Sequence, residues 1–247
     1  MHYAIIAAGE GSRLQQEGAK QPKPLIPVAG MPLLGRLVHI FSALGAESIS
    51  VICNEQATEV IAYLEQLCIQ FPLLHYLVQS TPSSMHSFFA LSKIIPAGRF
   101  CLTTVDTVFL PSQFTSFIEH CESLQGADGY FAVTPFVDDE KPLWVATTGE
   151  DCTVQGFYDR ESDIPSFASR YVSGGIYCLD THTAFPLLQT CLEQGQSRMR
   201  NYQRALLKAG LCIKACVFPK IMDIDHLDDV RKAEEWLAAE QQTGGFE

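Results

Sequence analysis

The chain has 247 residues, of which 47% are hydrophobic and 18% are charged. A chain of this length can bury a large apolar core without disulfide or metal support, and its composition excludes wholesale disorder. Lys and Arg total 17 against 28 Asp and Glu, which leaves a net charge of −11. Most of this surface would repel the phosphates of nucleic acids and anionic membranes, so neither is an expected partner. A few converging cations would still admit a small phosphorylated substrate.

The cysteine pattern and the lack of recognisable targeting signals both indicate the cellular compartment. Nine cysteines are scattered along the chain without a Cys-x-x-Cys pair. Most of them lie within apolar runs, which favours buried thiols over disulfides or a zinc site. The apolar stretch at residues 3–8 follows no basic segment and is too short for a signal peptide, and no apolar run approaches the ~18 residues of a membrane span. We therefore expect a cytoplasmic protein without membrane partners.

Strands and helices alternate in the first half of the chain. Apolar runs predict strands at residues 3–8, 48–53, 75–79 and 99–105. Helical periodicity and helix-end signals predict helices at residues 33–44, 55–68, 85–95 and 111–124. Such alternation is typical of a parallel sheet that is covered by helices on both faces.

The second half of the chain has a different pattern. It predicts strands at residues 129–136, 143–147, 152–158, 171–179 and 211–218. It predicts helices at residues 181–194, 198–209 and 226–241. Because no helix separates the first three of these strands, we expect a mixed extension of the sheet. No change of composition marks a boundary, so the prediction is one α/β domain over residues 1–247, with three α/β/α layers and a mostly parallel mixed sheet.

A glycine-containing loop follows the first strand and carries the strongest functional signal. It reads Ala7-Ala8-Gly9-Glu10-Gly11-Ser12-Arg13-Leu14. Glycines let a backbone turn sharply and bring its N–H groups against a phosphate chain. A dinucleotide fingerprint would need Gly or Ala where Leu14 stands, and no Gly-Lys-Ser/Thr follows as in a Walker loop. What remains is Gly-x-Gly-x-Arg, followed ten residues later by Lys23-Pro24-Leu25-Ile26-Pro27-Val28-x-Gly30.

This paired motif resembles the nucleotidyltransferase superfamily that makes activated sugars, the sugar-1-phosphate nucleotidyltransferases or NDP-sugar pyrophosphorylases. The resemblance implies a Rossmann-like (GT-A-like) fold and transfer of NMP from an NTP to a phosphorylated acceptor, with a sugar 1-phosphate expected and pyrophosphate released. It also implies that Arg13 neutralises the leaving pyrophosphate and that Lys23 bridges the α-phosphate and the acceptor phosphate. The loop residues expected to bind the nucleotide are Ala7, Ala8, Gly9, Gly11 and Ser12.

Three aspartates are candidates for holding Mg²⁺, which a triphosphate reacting in this way needs. The resemblance places one metal ligand at the end of the fourth parallel strand, where Asp106 closes an apolar run, and another at Asp223 near the C-terminus. Family members carry Asp-x-Asp or Asp-x-Gly there and usually continue with Thr-Pro, whereas His226 and Leu227 stand here. Asp225 is therefore either a ligand, a group behind the ligands, or the N-cap of the last helix.

A third segment resembles the loop that holds the nucleotide base. Gln79 stands where thymidylyltransferases hydrogen-bond the base with a Gln. Ser84 takes the place of the Gly against which the base packs, and a small residue there still allows close approach. The alternative is a plain polar loop between a strand and a helix.

Four residues are candidates for the acceptor side. Gly175 lies in a segment that resembles the glycine-containing strand lining the sugar pocket. Asp159 and Arg160 stand where sugar-specific members often have Glu-Lys, although a surface ion pair is an alternative. Trp144 either forms a wall of the acceptor site or fills the core.

The expected partners are an NTP and a phosphorylated small molecule, and formation of a homo-oligomer stays open. We assign NTP binding to residues 1–125, acceptor binding to residues 126–225 and a closing helix to residues 226–241. One alternative is a phosphocholine-type cytidylyltransferase, whose quaternary amine would need acidic or aromatic neighbours such as those near Phe88 or Trp144. The others are a noncatalytic nucleotide-sugar sensor on the same fold and a metal-dependent glycosyltransferase that uses Asp223-x-Asp225.

Overall fold

A mixed sheet of nine strands forms the centre of the computed structural model, which describes residues 1–123, 126–149 and 151–243. The described strands, including two short pairs outside this sheet, are β1 (His2–Ala7), β2 (Pro27–Val28), β3 (Met31–Pro32), β4 (Ser48–Cys53), β5 (Leu74–Val78), β6 (Arg99–Thr104), β7 (Thr107–Val108), β8 (Gly129–Thr134), β9 (Trp144–Thr147), β10 (Val154–Tyr158), β11 (Ser169–Asp180), β12 (Ile213–Val217) and β13 (Met222–Asp223). The described α-helices are α1 (Ser12–Gln16), α2 (Leu33–Ala43), α3 (Thr58–Gln70), α4 (Ser84–Leu91), α5 (Pro111–Ser123), α6 (Thr181–Glu193), α7 (Met199–Lys208) and α8 (Leu227–Thr243). The predicted helix end at Leu124 lies outside the described residues.

Most strands of the main sheet point in one direction. The path runs β10-β9-β11-β6-β1-β4-β5, and β8 pairs with β11 and β12. β1 lies in parallel between β4 and β6, whereas β11 is antiparallel to β6, β8 and β9. The predicted parallel sheet with a mixed extension is confirmed.

Helices cover both faces of the sheet. In β1, Tyr3 and Ile5 face one apolar core while Ala4 and Ile6 face the other, as the two-residue period of a strand dictates. The first core is closed by α2, α3, α5 and α8, and the second by α4, α6 and α7. Because β1 is buried on both faces, it appears in the sequence as a continuous apolar run. The three α/β/α layers are confirmed.

The first loop contains structure that the sequence did not predict. The helix α1 begins directly after Gly11, a 3-10 turn spans Lys23–Leu25, and β2 pairs with β3 in a short hairpin. Further along, α3 begins at Thr58 and not near residue 55, because Oδ1 of Asn54 accepts a hydrogen bond from N of Gln56 (2.9 Å) and holds a turn there.

Two features of the second half also differ from prediction. β11 is longer than predicted, at 12 residues, and its pairing with β8 shifts register between Ser173 and Tyr177. The short pair β7–β13 joins the segment after β6 to the segment before α8, with Thr107 opposite Asp223. This pair is too short to be seen in a sequence, yet it brings distant aspartates together. None of the helices in the described ranges combines the length and apolar character that crossing a membrane requires.

Candidate active site

The glycine loop packs directly against the segment that carries Lys23. Gly11 has φ +63°, in the left-handed region, and a Cβ atom added to it would lie 2.8 Å from Cβ of Lys23. Glycine is therefore required at position 11 both by the backbone turn and by the close approach. The two halves of the sequence motif form one unit in space.

Lys23 lies between two carboxylates. Its side chain is 10% exposed, and its Nζ donates to Asp225 Oδ1 (2.8 Å) and forms an ion pair with Asp106. Burial disfavours the charged ammonium group, but the two carboxylates outweigh this effect and raise the pKa of Lys23 to about 12. Lys23 thus keeps its positive charge at any physiological pH.

Arg13 reaches the same place from the glycine loop. Its guanidinium donates to Asp225 Oδ2 (3.0 Å) and lies 4.0 Å from Glu140, and its side chain is 47% exposed. Asp225 therefore contacts both cations. Partial burial opposes ionisation of its carboxyl, but Lys23 and Arg13 hold the pKa of Asp225 below its ordinary value.

The β7–β13 pair places Asp223 beside Asp106. N of Ile224 donates to the backbone oxygen of Asp106 (3.1 Å), and the side chain of Thr107 hydrogen-bonds Asp223. The Asp223 side chain lines a small cavity, described below, and protein packs closely around it. This loss of bulk water, together with the neighbouring Asp106 carboxylate, raises the pKa of Asp223 above its ordinary value. A divalent cation between the two carboxylates would offset their repulsion.

The donor set fits Mg²⁺. Oδ1 of Asp106 is buried and accepts no hydrogen bond from the described residues, so a lone pair is left for a cation. No three metal-binding side chains converge on one point in the described part of the chain. Mg²⁺ suits such a place, because it usually binds one or two carboxylates and takes its other ligands from phosphates and water. Asp106 and Asp223 are therefore the candidate ligands. Lys23 engages only Oδ2 of Asp106, whereas both carboxylate oxygens of Asp225 are engaged, Oδ1 by Lys23 and Oδ2 by Arg13.

The start of α8 explains the departure from the family's Thr-Pro. Oδ2 of Asp229 accepts from the backbone N–H groups of Asp225 (3.0 Å) and His226 (2.7 Å). Glu17 accepts from N of Leu227 (2.8 Å) and contacts the His226 ring, and these hydrogen bonds lower the pKa of Glu17. Asp229 and Glu17 thus satisfy three backbone N–H groups at and just before the start of α8. The alternative of Asp225 as the helix N-cap is wrong.

A cleft of about 570 Å³ lies between the glycine loop and α4. It is lined by loop residues and by the start of α4, among them Ala8, Gly9, Gly11, Ser12, Arg13, Lys23, Ser84, Asp106 and Asp225. Its volume lies within the range of ligand sites in proteins, about 300–1,000 Å³. Ala7 lines an adjacent cavity, and Gln79 is exposed after β5, outside the lining of the cleft.

Several further polar residues of this cleft were not predicted as site residues, and three hydroxyl-bearing ones lie close together. Thr81, Ser83 and Ser87 line it beside Ser84. Ser83 is the N-cap of α4, and its Oγ accepts from N of His86 (3.4 Å). The segment Thr81-Pro82-Ser83 could have indicated a helix start, and with it a set of hydroxyl groups at the cleft.

A smaller cavity of about 60 Å³ adjoins the cleft and shares Arg13 and Asp225 with it. It also contains Asp223, the β11 residues Ser173 and Gly174, and the acidic segment 138–140. The two cavities meet where Arg13 contacts Asp225.

The four predicted acceptor residues lie in different surroundings. Gly175 occupies the irregular part of β11 with φ +71°, and a Cβ there would lie 3.3 Å from Oγ1 of Thr107. Trp144 packs in a small apolar cluster at the start of β9. Asp159 and Arg160 are exposed after β10. Only Gly175 adjoins the aspartates, through Thr107, and these four are not among the residues that line the cleft or the smaller cavity.

Asp159 is held by α7 and is not paired with Arg160. Its carboxylate accepts from Arg200 (2.6 Å) and forms an ion pair with Arg204 (2.8 Å). Hydrogen bonds from Arg204 and Arg200 lower the pKa of Asp159. This contact fastens the end of β10 to α7. A role for Asp159 and Arg160 in acceptor binding stays a prediction.

Phe88 offers no aromatic wall to an acceptor. It is fully buried and packs against Phe100 and Tyr202 in the second core.

Replacing Gly11 with alanine is expected to lower kcat/KM for the nucleotide by at least ~10-fold, since left-handed strain of ~1–2 kcal/mol adds to the contact with Lys23. Steady-state kinetics with the best NTP measures this effect. The matched control is Gly18→Ala, because Gly18 has φ +94° but no atom within 4 Å of an added Cβ. It should lose stability and keep its kcat/KM. Equal kinetic losses in both variants would contradict the role of the Gly11–Lys23 contact.

The family can now be stated from comparison with known proteins. Residues 3–210 match the family described as the MobA-like NTP transferase domain. The chain belongs to this family. A bifunctional GlmU protein of Pelotomaculum thermopropionicum is 23% identical over 240 residues, which cover 94% of this chain and 50% of that protein. The chain spans about half the length of the first curated relatives that it matches.

Solved structures of nucleotidyltransferases share the fold. The inositol-1-phosphate CTP transferase from T. maritima superposes with a TM-score of 0.76 at 17% identity, covering 96% of this chain and 94% of that one. A UDP-glucose pyrophosphorylase solved with UDP-glucose gives 0.76 at 16% identity, covering 97% and 99%. The resemblance to the nucleotidyltransferase superfamily and the predicted α/β fold are confirmed.

Proposed function

We propose that this NTP transferase domain moves NMP from an NTP to a phosphorylated small molecule in a Mg²⁺-dependent reaction, with a sugar 1-phosphate as the expected acceptor. The observation that carries the proposal is the meeting of Lys23 and Arg13 with three aspartates at the junction of two cavities. Both reactants are anions, so positioning and neutralisation of charge are the main tasks of such a site.

In the proposed reaction an oxygen of the acceptor phosphate attacks the α-phosphorus of the NTP. A new P–O bond forms to the acceptor as the bond between the α-phosphorus and the β-phosphate oxygen breaks, and pyrophosphate leaves with the electron pair. Lys23 is charged between Asp106 and Asp225, and in the proposed reaction it would bridge the two reacting phosphates. Arg13 is more exposed and can exchange its contact with Asp225 for the leaving pyrophosphate.

Asp106 and Asp223 would hold Mg²⁺ at this junction. When bound, the ion neutralises phosphate charge and orients the triphosphate. Asp225 instead keeps Lys23 and Arg13 in position while no substrate is bound. The backbone around Gly9 and Gly11 lines the cleft and offers N–H donors to the phosphate chain.

The smaller cavity is the proposed binding site of the phosphorylated acceptor. This cavity shares Arg13 and Asp225 with the cleft but is not lined by Gly9 or Gly11, which are proposed to bind the triphosphate. Names of structural neighbours include an inositol-1-phosphate CTP transferase and a UDP-glucose pyrophosphorylase, which widens the expected acceptors to cyclitol phosphates.

A screen of pyrophosphate release tests the proposal. The protein with Mg²⁺ is given each of the four common NTPs together with glucose 1-phosphate, N-acetylglucosamine 1-phosphate, mannose 1-phosphate, inositol 1-phosphate or phosphocholine. We expect release that needs both substrates, with a hydroxylated acceptor preferred. Release without any acceptor, or none with every pair, would contradict the proposal. Tight nucleotide-sugar binding without turnover would favour the sensor alternative.

A further inference from the structure

The helix α7 buries an amide group in an otherwise apolar core. Gln203 is 2% exposed, and the other buried polar side chains in the described ranges are serines and threonines. Its neighbours on the helix, Tyr202 and Leu206, belong to the second core. Burying an amide is unfavourable unless its donors and its acceptor find partners, so this residue needs an explanation.

The hydrogen bonds of Gln203 are only half complete. Its Nε2 donates to Oη of Tyr177 (2.6 Å) and to Oγ of Ser173 (3.4 Å). Its Oε1 is buried and accepts from none of the described residues. Leucine at this position would remove the unpaired Oε1 but would also leave Oη of Tyr177 without its donor, so the two hydroxyl partners account for the amide.

The two partners of Gln203 connect it to the smaller cavity. Ser173 lines this cavity beside Gly174, where β11 shifts its register. Tyr177 lies behind it and close to Asp223. Burial, reinforced by the Asp223 carboxylate and opposed by the hydrogen bonds of Ser173 and Gln203, raises the pKa of Tyr177 to about 12. The phenol is thus a neutral hydrogen-bonding group at physiological pH.

The direction of these hydrogen bonds determines which hydrogen-bonding group faces the smaller cavity. An amide N–H only donates, so both hydroxyl oxygens accept from Gln203 and both keep their own protons. Of the two hydroxyl-bearing residues, Ser173 is the one that lines the cavity. Its proton can be directed either to Oη of Tyr177 or into this cavity, which is otherwise lined mainly by carboxylates and apolar groups.

We propose that Gln203 is a positioning residue for the acceptor, acting through Ser173, and that the pair recognises a hydroxyl group of the acceptor. In this arrangement the oxygen of an acceptor hydroxyl accepts a hydrogen bond from Oγ of Ser173, which Gln203 holds in position. A quaternary ammonium group has no lone pair with which to accept this hydrogen bond. The inference rests on the proposed function and narrows its acceptor to hydroxylated phosphates, such as those of sugars or cyclitols.

Kinetics of Gln203→Leu test the inference, with the hydroxylated acceptor that has the highest kcat/KM in the pyrophosphate screen. We expect the acceptor KM to rise at least ~10-fold, while the KM for the NTP stays within about 2-fold. The matched control is Gln113→Leu, because Gln113 on α5 also has a buried, unpaired Oε1 but lies by a different cavity. It should leave both KM values unchanged. Equal changes in both KM values of Gln203→Leu would overturn the inference.

A second variant and a set of acceptor analogues test the same inference independently if Gln203→Leu folds poorly. Ser173→Ala should raise the acceptor KM similarly, and the double variant should be no worse than either single one. The wild type should discriminate against one monodeoxy analogue of the acceptor, and both variants should lose that discrimination. If they retain it, or if phosphocholine is the only acceptor, the inference fails while nucleotidyl transfer stands. If the wild type transfers to no acceptor, both fail.

Discussion

Lys23→Ala is expected to lower kcat by at least ~10²-fold and to leave the fold intact. A charge contact at the reacting phosphorus is worth roughly 3–4 kcal/mol in the transition state, and Lys23 is the buried cation at the junction. Steady-state rates of pyrophosphate release measure the loss, and circular dichroism with a thermal melt checks the fold.

The control for this prediction comes from the same loop. Lys20 is exposed and lines a cavity next to the cleft, so Lys20→Ala removes an equal charge away from the junction. We expect its kcat to stay within about 3-fold of the wild type. A folded Lys23→Ala protein with near-normal kcat would remove Lys23 from the proposed reaction.

Asp106→Asn and Asp223→Asn are each expected to lower Mg²⁺-dependent turnover by at least ~10³-fold, about 4 kcal/mol. Asp106 has an unpaired buried oxygen and Asp223 lies beside it, so either change removes an anionic ligand. Asp225→Asn should cost about 10-fold, because it weakens the hold on Lys23 and Arg13 and spares the metal. Rates across a Mg²⁺ titration, with Mg²⁺ binding measured by calorimetry, distinguish the two effects.

An aspartate outside the junction is the matched control. Asp228 is exposed on α8 and paired with Arg231, so Asp228→Asn should keep its rate and its Mg²⁺ affinity. If Asp225→Asn loses Mg²⁺ binding and Asp223→Asn keeps it, the metal ligands are Asp106 and Asp225, and the cationic contacts of Asp225 belong to the ligand-free state.

Much of the fold could be predicted from the sequence because buried strands and helices have recognisable patterns of apolar residues. β1 is buried on both faces and reads as an unbroken apolar run, and the helices that cover it show their apolar stripes. The short strands are too short to show such a pattern. β7 and β13 have two residues each, and their pairing depends on the tertiary contact between Ile224 and Asp106.

The site was predictable where one local motif carries it. Gly11, Arg13 and Lys23 lie close in sequence, and the structure brings them together. Contacts between distant segments were not predictable. The contact of Asp159 with α7 spans 41 residues, and the contact of Gln203 with Ser173 spans 30, so neither has a spacing that a sequence reveals.

Transfer of labelled phosphorus tests the central claim most directly. The protein is given Mg²⁺, the acceptor preferred in the screen, and the NTP labelled either on its α- or on its γ-phosphate. If the site transfers a nucleotidyl group, the α label appears in the acceptor conjugate and the γ label in pyrophosphate. Appearance of the γ label in the acceptor, or of the α label in NDP, would contradict the account, because the bond between the β- and γ-phosphates would have broken. Appearance of the α label only in free NMP would also contradict it, because water and not the acceptor phosphate would have attacked the α-phosphorus.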